Sequence, residues 1–213
     1  MSKFDHPVWR LTAQAAVVAA LMGSLSGCVG LVVGGAVAAT AAATDRRTLG
    51  AQADDKSIAV KAETRLPKVA GQDAHINANS YNRMLLLTGE VKDEETKTKV
   101  EREAKAIDGV QTVSNELEVA GPASYTSRSN DALITTKVKA SLVDMKTISA
   151  TSFKVVTERG VVYLMGRVTE REGQVGADVA RGVSGVTKVV KMFDYISEEE
   201  MRRLSPNTGS VAL

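Results

Sequence analysis

The sequence predicts an α+β protein made of two copies of one α-β-β-α-β unit. Three observations predict it. The second half repeats the first at a spacing of 76 to 77 residues; an apolar stripe at helical spacing opens each copy; and short alternating or continuous apolar runs lie between the helical stretches.

The repeat can be read directly. DKSIAVK at 55–61 aligns with DALITTK at 131–137, MLLLTGEV at 84–91 with VVYLMGRV at 161–168, and IDGV at 107–110 with VSGV at 183–186. In each copy a first helix is expected, with Asp54 or Asn130 as its N-cap. Its buried stripe is Ile58, Ala62 and Leu66, or Ile134, Val138 and Leu142. A hairpin follows; in the second copy Phe153 and Val155 alternate, Glu158-Arg159-Gly160 turns, and Val161 to Leu164 runs apolar. A charged second helix is expected over 93–107 and 170–183, ended by Gly109 and Gly185, and a last strand over 112–119 and 187–196. A glycine, Gly89 or Gly166, is placed after the second strand. Each unit of about 65 residues is small but viable as a domain, and its two helices should cover one face of a three-stranded mixed sheet. The expected boundaries are 54–120 and 130–196, with the polar GPASYTSRS at 121–129 as linker and 197–213 as a tail that begins with a brief helix.

The N-terminus has a different grammar. Lys3 and Arg10 precede a mostly apolar stretch over 11–25, ending in Leu25-Ser26-Gly27-Cys28. That is the charged, apolar and small-residue order of a secretory signal, too short and Ala-rich for a membrane span. The last four residues resemble a bacterial lipobox, which makes Cys28, the chain's one cysteine, the acylated first residue of the mature protein. An unpaired thiol in an oxidising compartment would otherwise invite wrong pairing. Val29, which is not Asp, implies by the same resemblance the outer membrane, facing the periplasm. Residues 28–53 then read as a lipidated, Gly/Ala-rich tether.

Composition argues against catalysis. Beyond the signal, His75 is the one histidine, so a Cys-His pair or a His-rich metal site is excluded, and His75 reads as a surface residue at a strand start. The glycines at 30, 34 and 35 lack the Lys-Ser/Thr of a phosphate loop. Carboxylates cluster at helix starts, where they favour the dipole, and nothing selects a pair for hydrolysis. The expectation is a non-enzyme without cofactor or metal.

The net charge of +2 hides an asymmetry. Residues 54–120 carry 10 Lys/Arg against 13 Asp/Glu, and residues 128–196 carry 11 against 7. Two copies of one fold with opposite charge point to different partners. If Ile134, Val138 and Leu142 face the sheet, Leu133, Lys137 and Ala140 share another face, with Lys139 at its rim. An apolar plug flanked by lysines suits an interfacial helix on anionic lipid. The counterparts in copy one are Ser57, Lys61 and Thr64, without the plug. Nucleic acid is excluded as partner, since no aromatics interleave with the basic residues.

The element order, the glycines at 89 and 166, and the apolar-x-Gly-Val element after each second helix resemble the BON domain. Two copies behind a lipobox resemble the dual-BON outer-membrane lipoproteins, with SNDALITTKV at 129–138 and VYLMGRVTERE at 162–172 as the specific matches. The resemblance covers most of the chain, except the tail beyond Ile196. It implies two tandem BON domains in a non-enzymatic protein that binds anionic phospholipid (phosphatidylglycerol, cardiolipin) through its second domain. It also implies support of envelope integrity and a link to the outer-membrane assembly machinery. In the dual-BON lipoprotein that the chain resembles, the first helix of the second domain is the lipid contact and carries Trp at the position of Leu133, so weaker or less selective binding is implied here. The competing reading is a periplasmic protein-interaction scaffold for barrel assembly or peptidoglycan, with lipid contact incidental.

Overall fold

The computed structural model describes residues 45–204. The expected signal (1–27), the expected acylation site Cys28, the expected tether up to residue 44 and the end of the tail lie outside the described residues.

Helix α1 (Leu49–Ala70) starts where Thr48 accepts a hydrogen bond from the Ala51 amide and stops at Gly71, whose φ is 90°. Strands β1 (His75–Tyr81) and β2 (Met84–Val91) form an antiparallel hairpin. Helix α2 (Glu94–Lys105) is capped by Asp93, with Glu94 and Glu95 in its first turn. The returning strand runs parallel to β2 in two pieces, β3 (Thr112–Asn115) and β4 (Glu118–Val119), interrupted where Leu117 turns into the core. The second domain repeats the plan. Helix α3 (Tyr125–Asp144) leads to the hairpin of β5 (Phe153–Glu158) and β6 (Val161–Val168), then α4 (Glu170–Arg181), then β7 (Lys188–Tyr195) parallel to β6. A short α5 (Glu198–Leu204) follows.

The strand periodicity assigns the faces. In the first domain Leu85, Leu87 and Val91 join Ile58, Ala62, Leu66, Val100 and Ala104 in one core between sheet and helices. In the second, Val162, Leu164 and Val168 do the same with Ile134, Val138, Leu142 and Ala177. The alternate residues point the other way and meet. Tyr81 and Leu86 of one sheet pack on Tyr163, Met165 and Met192 of the other. The molecule is therefore four layers, helices–sheet–sheet–helices, and strands buried on both faces explain why β2 and β6 read as continuous apolar runs.

Three expectations change. Asp54 and Asn130 are not N-caps: Thr48 and Ser124 are, because their hydroxyls accept the free amides of Ala51 and Ser127. The stretch 121–129, expected as linker, is helical from Tyr125. The earlier starts bring Asp55 and Asp131 into the buried stripes, 3 % and 5 % exposed. Each stripe thus begins with an acid that holds the turn of its own hairpin. Asp55 accepts from the amides of Asn82 and Arg83 at 2.6 and 2.8 Å and from the Ser80 hydroxyl at 2.6 Å. Asp131 accepts from the amides of Arg159 and Gly160, both at 2.8 Å. All four turn residues have positive φ, the geometry of a tight two-residue hairpin, and the carboxylates take the amides that this geometry turns inward.

Gly89 and Gly166 lie within β2 and β6 rather than after them. A Cβ at Gly89 would sit 2.1 Å from the His75 carbonyl oxygen, and one at Gly166 2.3 Å from that of Ser152. Each glycine lets the neighbouring strand approach.

Two outcomes are expected in urea titrations. Gly89→Ala and Gly166→Ala each cost about 1–3 kcal/mol, while Gly121→Ala, with nothing within 4 Å, changes stability by less than about 0.5 kcal/mol. Asp131→Ala orphans two turn amides at about 1–3 kcal/mol each.

Candidate lipid-contact site

The outer surface of α3 is set by what its inner surface must bury. With Asp131, Ile134, Val138 and Leu142 turned to the core, the opposite side is left to solvent. Tyr125 and Val143 are 18 residues apart, five full turns, and lie on one line. Leu133 and Ala140, seven apart, lie on the neighbouring line. The large side chains there are far out in solvent: Tyr125 is 88 % exposed, Val143 68 % and Leu133 60 %. Lys137 flanks this strip on one side, Lys139 on the other, and both are exposed. Among the described residues neither lysine makes an ion pair or a hydrogen bond, in contrast to Lys61 and Arg65 on α1, which pair with Asp108 and Glu103.

The structure thus brings together all four sequence-predicted residues, Leu133, Lys137, Lys139 and Ala140, on one solvent-facing side of one helix. Sequence reasoning missed Tyr125 and Val143. The signal was present, since Val143 follows Leu133 at i+10 and Tyr125 precedes Val143 by five turns, but it required starting the helix at Tyr125. Cys28 lies outside the described residues.

What presents this helix is the contact between the domains. The Tyr81 hydroxyl accepts from the Arg167 amide at 3.1 Å, Lys154 donates to the Ser80 carbonyl at 3.2 Å, and the Asn77 and Asn82 amides donate to Glu158 and Asp194 at 2.8 and 2.9 Å. Burial, with the Asp45 charge behind it, pushes the Tyr81 hydroxyl up to about 12, so the phenol stays neutral. Burial, and then the Arg47 charge, pulls the Lys154 ammonium below the usual lysine range.

The segment before α1 fastens the pair. Arg46 forks onto Glu172 of α4 at 2.7 and 2.8 Å, with both side chains at most 5 % exposed, and also donates to the Arg167 carbonyl. Arg47 reaches Asp55 at 2.6 Å while its guanidinium lies 4.0 Å over the Tyr81 ring. Glu172 closes a capping box with Thr169. Burial alone would raise the Glu172 carboxyl, but the Arg46 fork and the Thr169 amide outweigh it and leave it below the usual range. Asp55 is lowered in the same way, by Ser80, the turn amides and Arg47 against its burial.

His75 is half-buried rather than on the surface. Its Nδ1 lies 3.5 Å from the fully buried Glu90, which Arg159 of the other domain approaches at 3.4 Å. Among the described residues no group of His, Cys, Asp or Glu is placed to hold a metal ion, and no helix is long and apolar enough to cross a membrane.

Comparison with known proteins agrees with the two-fold architecture. The family model described as the BON domain matches twice, over residues 54–121 and 130–197. The chain is 39 % identical over 155 residues, 72 % of its length and 80 % of the relative's, to the outer membrane lipoprotein DolP of Haemophilus influenzae. It is 32 % identical, over 71 % of this chain and 79 % of the relative, to a 21 kDa hemolysin of Actinobacillus pleuropneumoniae. It is 44 % identical over 61 residues, 28 % of this chain and 30 % of the relative, to the osmotically-inducible protein Y of Escherichia coli. This chain belongs to the BON-domain family, with two tandem copies.

Arg46→Ala should cost about 3–5 kcal/mol of unfolding free energy, because it strands a buried carboxylate. The sign of the pH dependence follows from the lowered carboxyls. Their contribution is present above the ordinary values of 3.8 for Asp55 and 4.5 for Glu172 and is lost as pH falls below them. Urea midpoints of the wild-type chain should therefore drop on acidification through that window, and in Arg46→Ala the drop should be smaller.

Proposed function

We propose that this protein is an outer-membrane lipoprotein, acylated at Cys28 and facing the periplasm, whose second BON domain docks on anionic phospholipid and so supports envelope integrity. The observation that carries the reading is the outward side of α3: Tyr125, Leu133 and Val143 exposed at 88, 60 and 68 %, with lysines at 137 and 139, which pair with none of the described residues, on either flank. Exposed apolar side chains in such a strip are what an interfacial helix inserts at the headgroup boundary, while flanking cations sit among the phosphates. Each cation near an anionic surface is worth about 1 kcal/mol. Phosphatidylglycerol and cardiolipin are the lipids this arrangement suits.

The likeness to an outer membrane lipoprotein supports the compartment. Acylation at Cys28 and the α3 contact give the two signals that stable anchoring needs. The 17 residues 28–44 span at most about 60 Å when extended, enough for the folded unit to reach the membrane while remaining anchored to it.

Co-sedimentation of the chain from Asp45 onward with vesicles tests the docking. Salt-sensitive binding to phosphatidylglycerol but not phosphatidylcholine vesicles is expected. Leu133→Asp, Val143→Asp and the double change Lys137→Glu/Lys139→Glu should each reduce it at least tenfold without changing the urea midpoint. Binding that survives all three would leave the scaffold reading, in which the same helix contacts a protein of the outer-membrane assembly machinery.

A further inference from the structure

The first domain has a recess where the second has a plug. On the outer side of α1, between that helix and the turn that ends α2, a groove of about 570 Å³ is lined by Val60, Thr64, Ala106 and Ile107, with Lys61, Arg65, Lys68 and Asp108 around them. Its volume falls within the ~300–1,000 Å³ of small-molecule sites. Its walls are apolar: Val60 is 50 % exposed into it, Ile107 forms a buried floor, and the Thr64 hydroxyl is turned away to the Val60 carbonyl at 2.7 Å.

The rim is net cationic, three cations against Asp108, in a domain whose net charge is negative. Lys68 makes no ion pair among the described residues. Lys61 and Arg65 hold Asp108 and Glu103 only through exposed pairs at 3.4 and 2.8 Å, which are worth little and can be exchanged for another anion. The second domain does not repeat this set; Ala140, Ser141 and Asp144 stand where Thr64, Arg65 and Lys68 stand in the first.

We infer that this groove is a binding site for one anionic single-chain amphiphile, a lysophospholipid, with its acyl chain along Val60, Ala106 and Ile107 and its phosphate on Lys61, Arg65 and Lys68. A recess draws a chain out of its surroundings, whereas the protruding Leu133 enters them. The layer order also separates the two sites, since the helices of the first domain lie on the far side of both sheets from α3. The site therefore takes a monomer rather than a bilayer surface, and it does not depend on the docking proposed for α3.

The test uses the mature-length chain with Cys28→Ser, which carries no acyl chain of its own. Lysophosphatidylglycerol and lysophosphatidylcholine are titrated below their critical micelle concentrations, followed by calorimetry and by amide chemical shifts. One-to-one binding of the anionic lipid, with shifts at Val60, Thr64 and Ile107, is expected. Thr64→Trp, which fills the groove from an exposed position, should abolish it, and Arg65→Glu/Lys68→Glu should weaken it at least tenfold. Leu133→Asp should leave it unchanged, so failure here and failure of the α3 reading are distinguishable. An unchanged urea midpoint shows that Thr64→Trp is folded. No binding, equal binding of the zwitterionic lipid, or loss in Leu133→Asp rather than in the groove variants would overturn the inference.

Discussion

The packing of one sheet against the other decides what the rest of the molecule can present. Each unit buries one face of its sheet under two helices and leaves the other face with Tyr81 and Leu86, or Tyr163, Met165 and Met192. Exposed together, these would form a large apolar patch on each half. Laid face to face they form a third core, and the helices become the outer surfaces of a four-layer body. The outward side of α3 is free because the sheet, not the helix, carries the contact between domains.

Polar groups fix how the two sheets sit. Apolar contact is non-directional, but the hydrogen bonds from Arg167 to Tyr81, from Lys154 to Ser80 and from the two asparagines to Glu158 and Asp194 hold one register. The Asp45-Arg46-Arg47 segment adds a clamp that reaches both domains, with Arg46 on α4 and Arg47 on α1 and Tyr81. These charges are buried and costly to desolvate, so their value lies in specifying one arrangement as much as in net stability. The clamp also places Asp45, the first described residue, at the domain contact.

Much of this was legible in the sequence. The repeat, the element order and the stripes at 58, 62, 66 and at 134, 138, 142 follow from period and spacing, and all six stripe residues are buried. The helix starts were not legible, because Thr48 and Asp54, or Ser124 and Asn130, are equally good caps by residue type. The choice is made by Asp55 and Asp131, whose carboxylates are needed at the hairpin turns, a partnership across about 28 residues that no local pattern announces. The contact between the sheets left a trace in the continuous apolar run of β2, yet a run buried on both faces does not say what covers the second face. Of the outward side of α3, Leu133, Lys137, Lys139 and Ala140 followed from the stripe, whereas Tyr125 and Val143 depended on the true helix ends. Arg46 and Arg47 carry no motif, and only the fold shows what they hold.

Site-directed spin labelling on the acylated chain tests the central claim, that the second domain's outer helix is the layer that meets the membrane. Nitroxides are placed one at a time at Ala140 and Val143 on α3 and at Val60 and Thr64 on α1, and power saturation reports their depth in phosphatidylglycerol-containing vesicles free of lysolipid. The account predicts that the labels at 140 and 143 lie at the acyl boundary, shielded from aqueous relaxers, while those at 60 and 64 stay in water. Labels at 140 and 143 in water on a membrane-bound chain, or all four equally immersed, would contradict it.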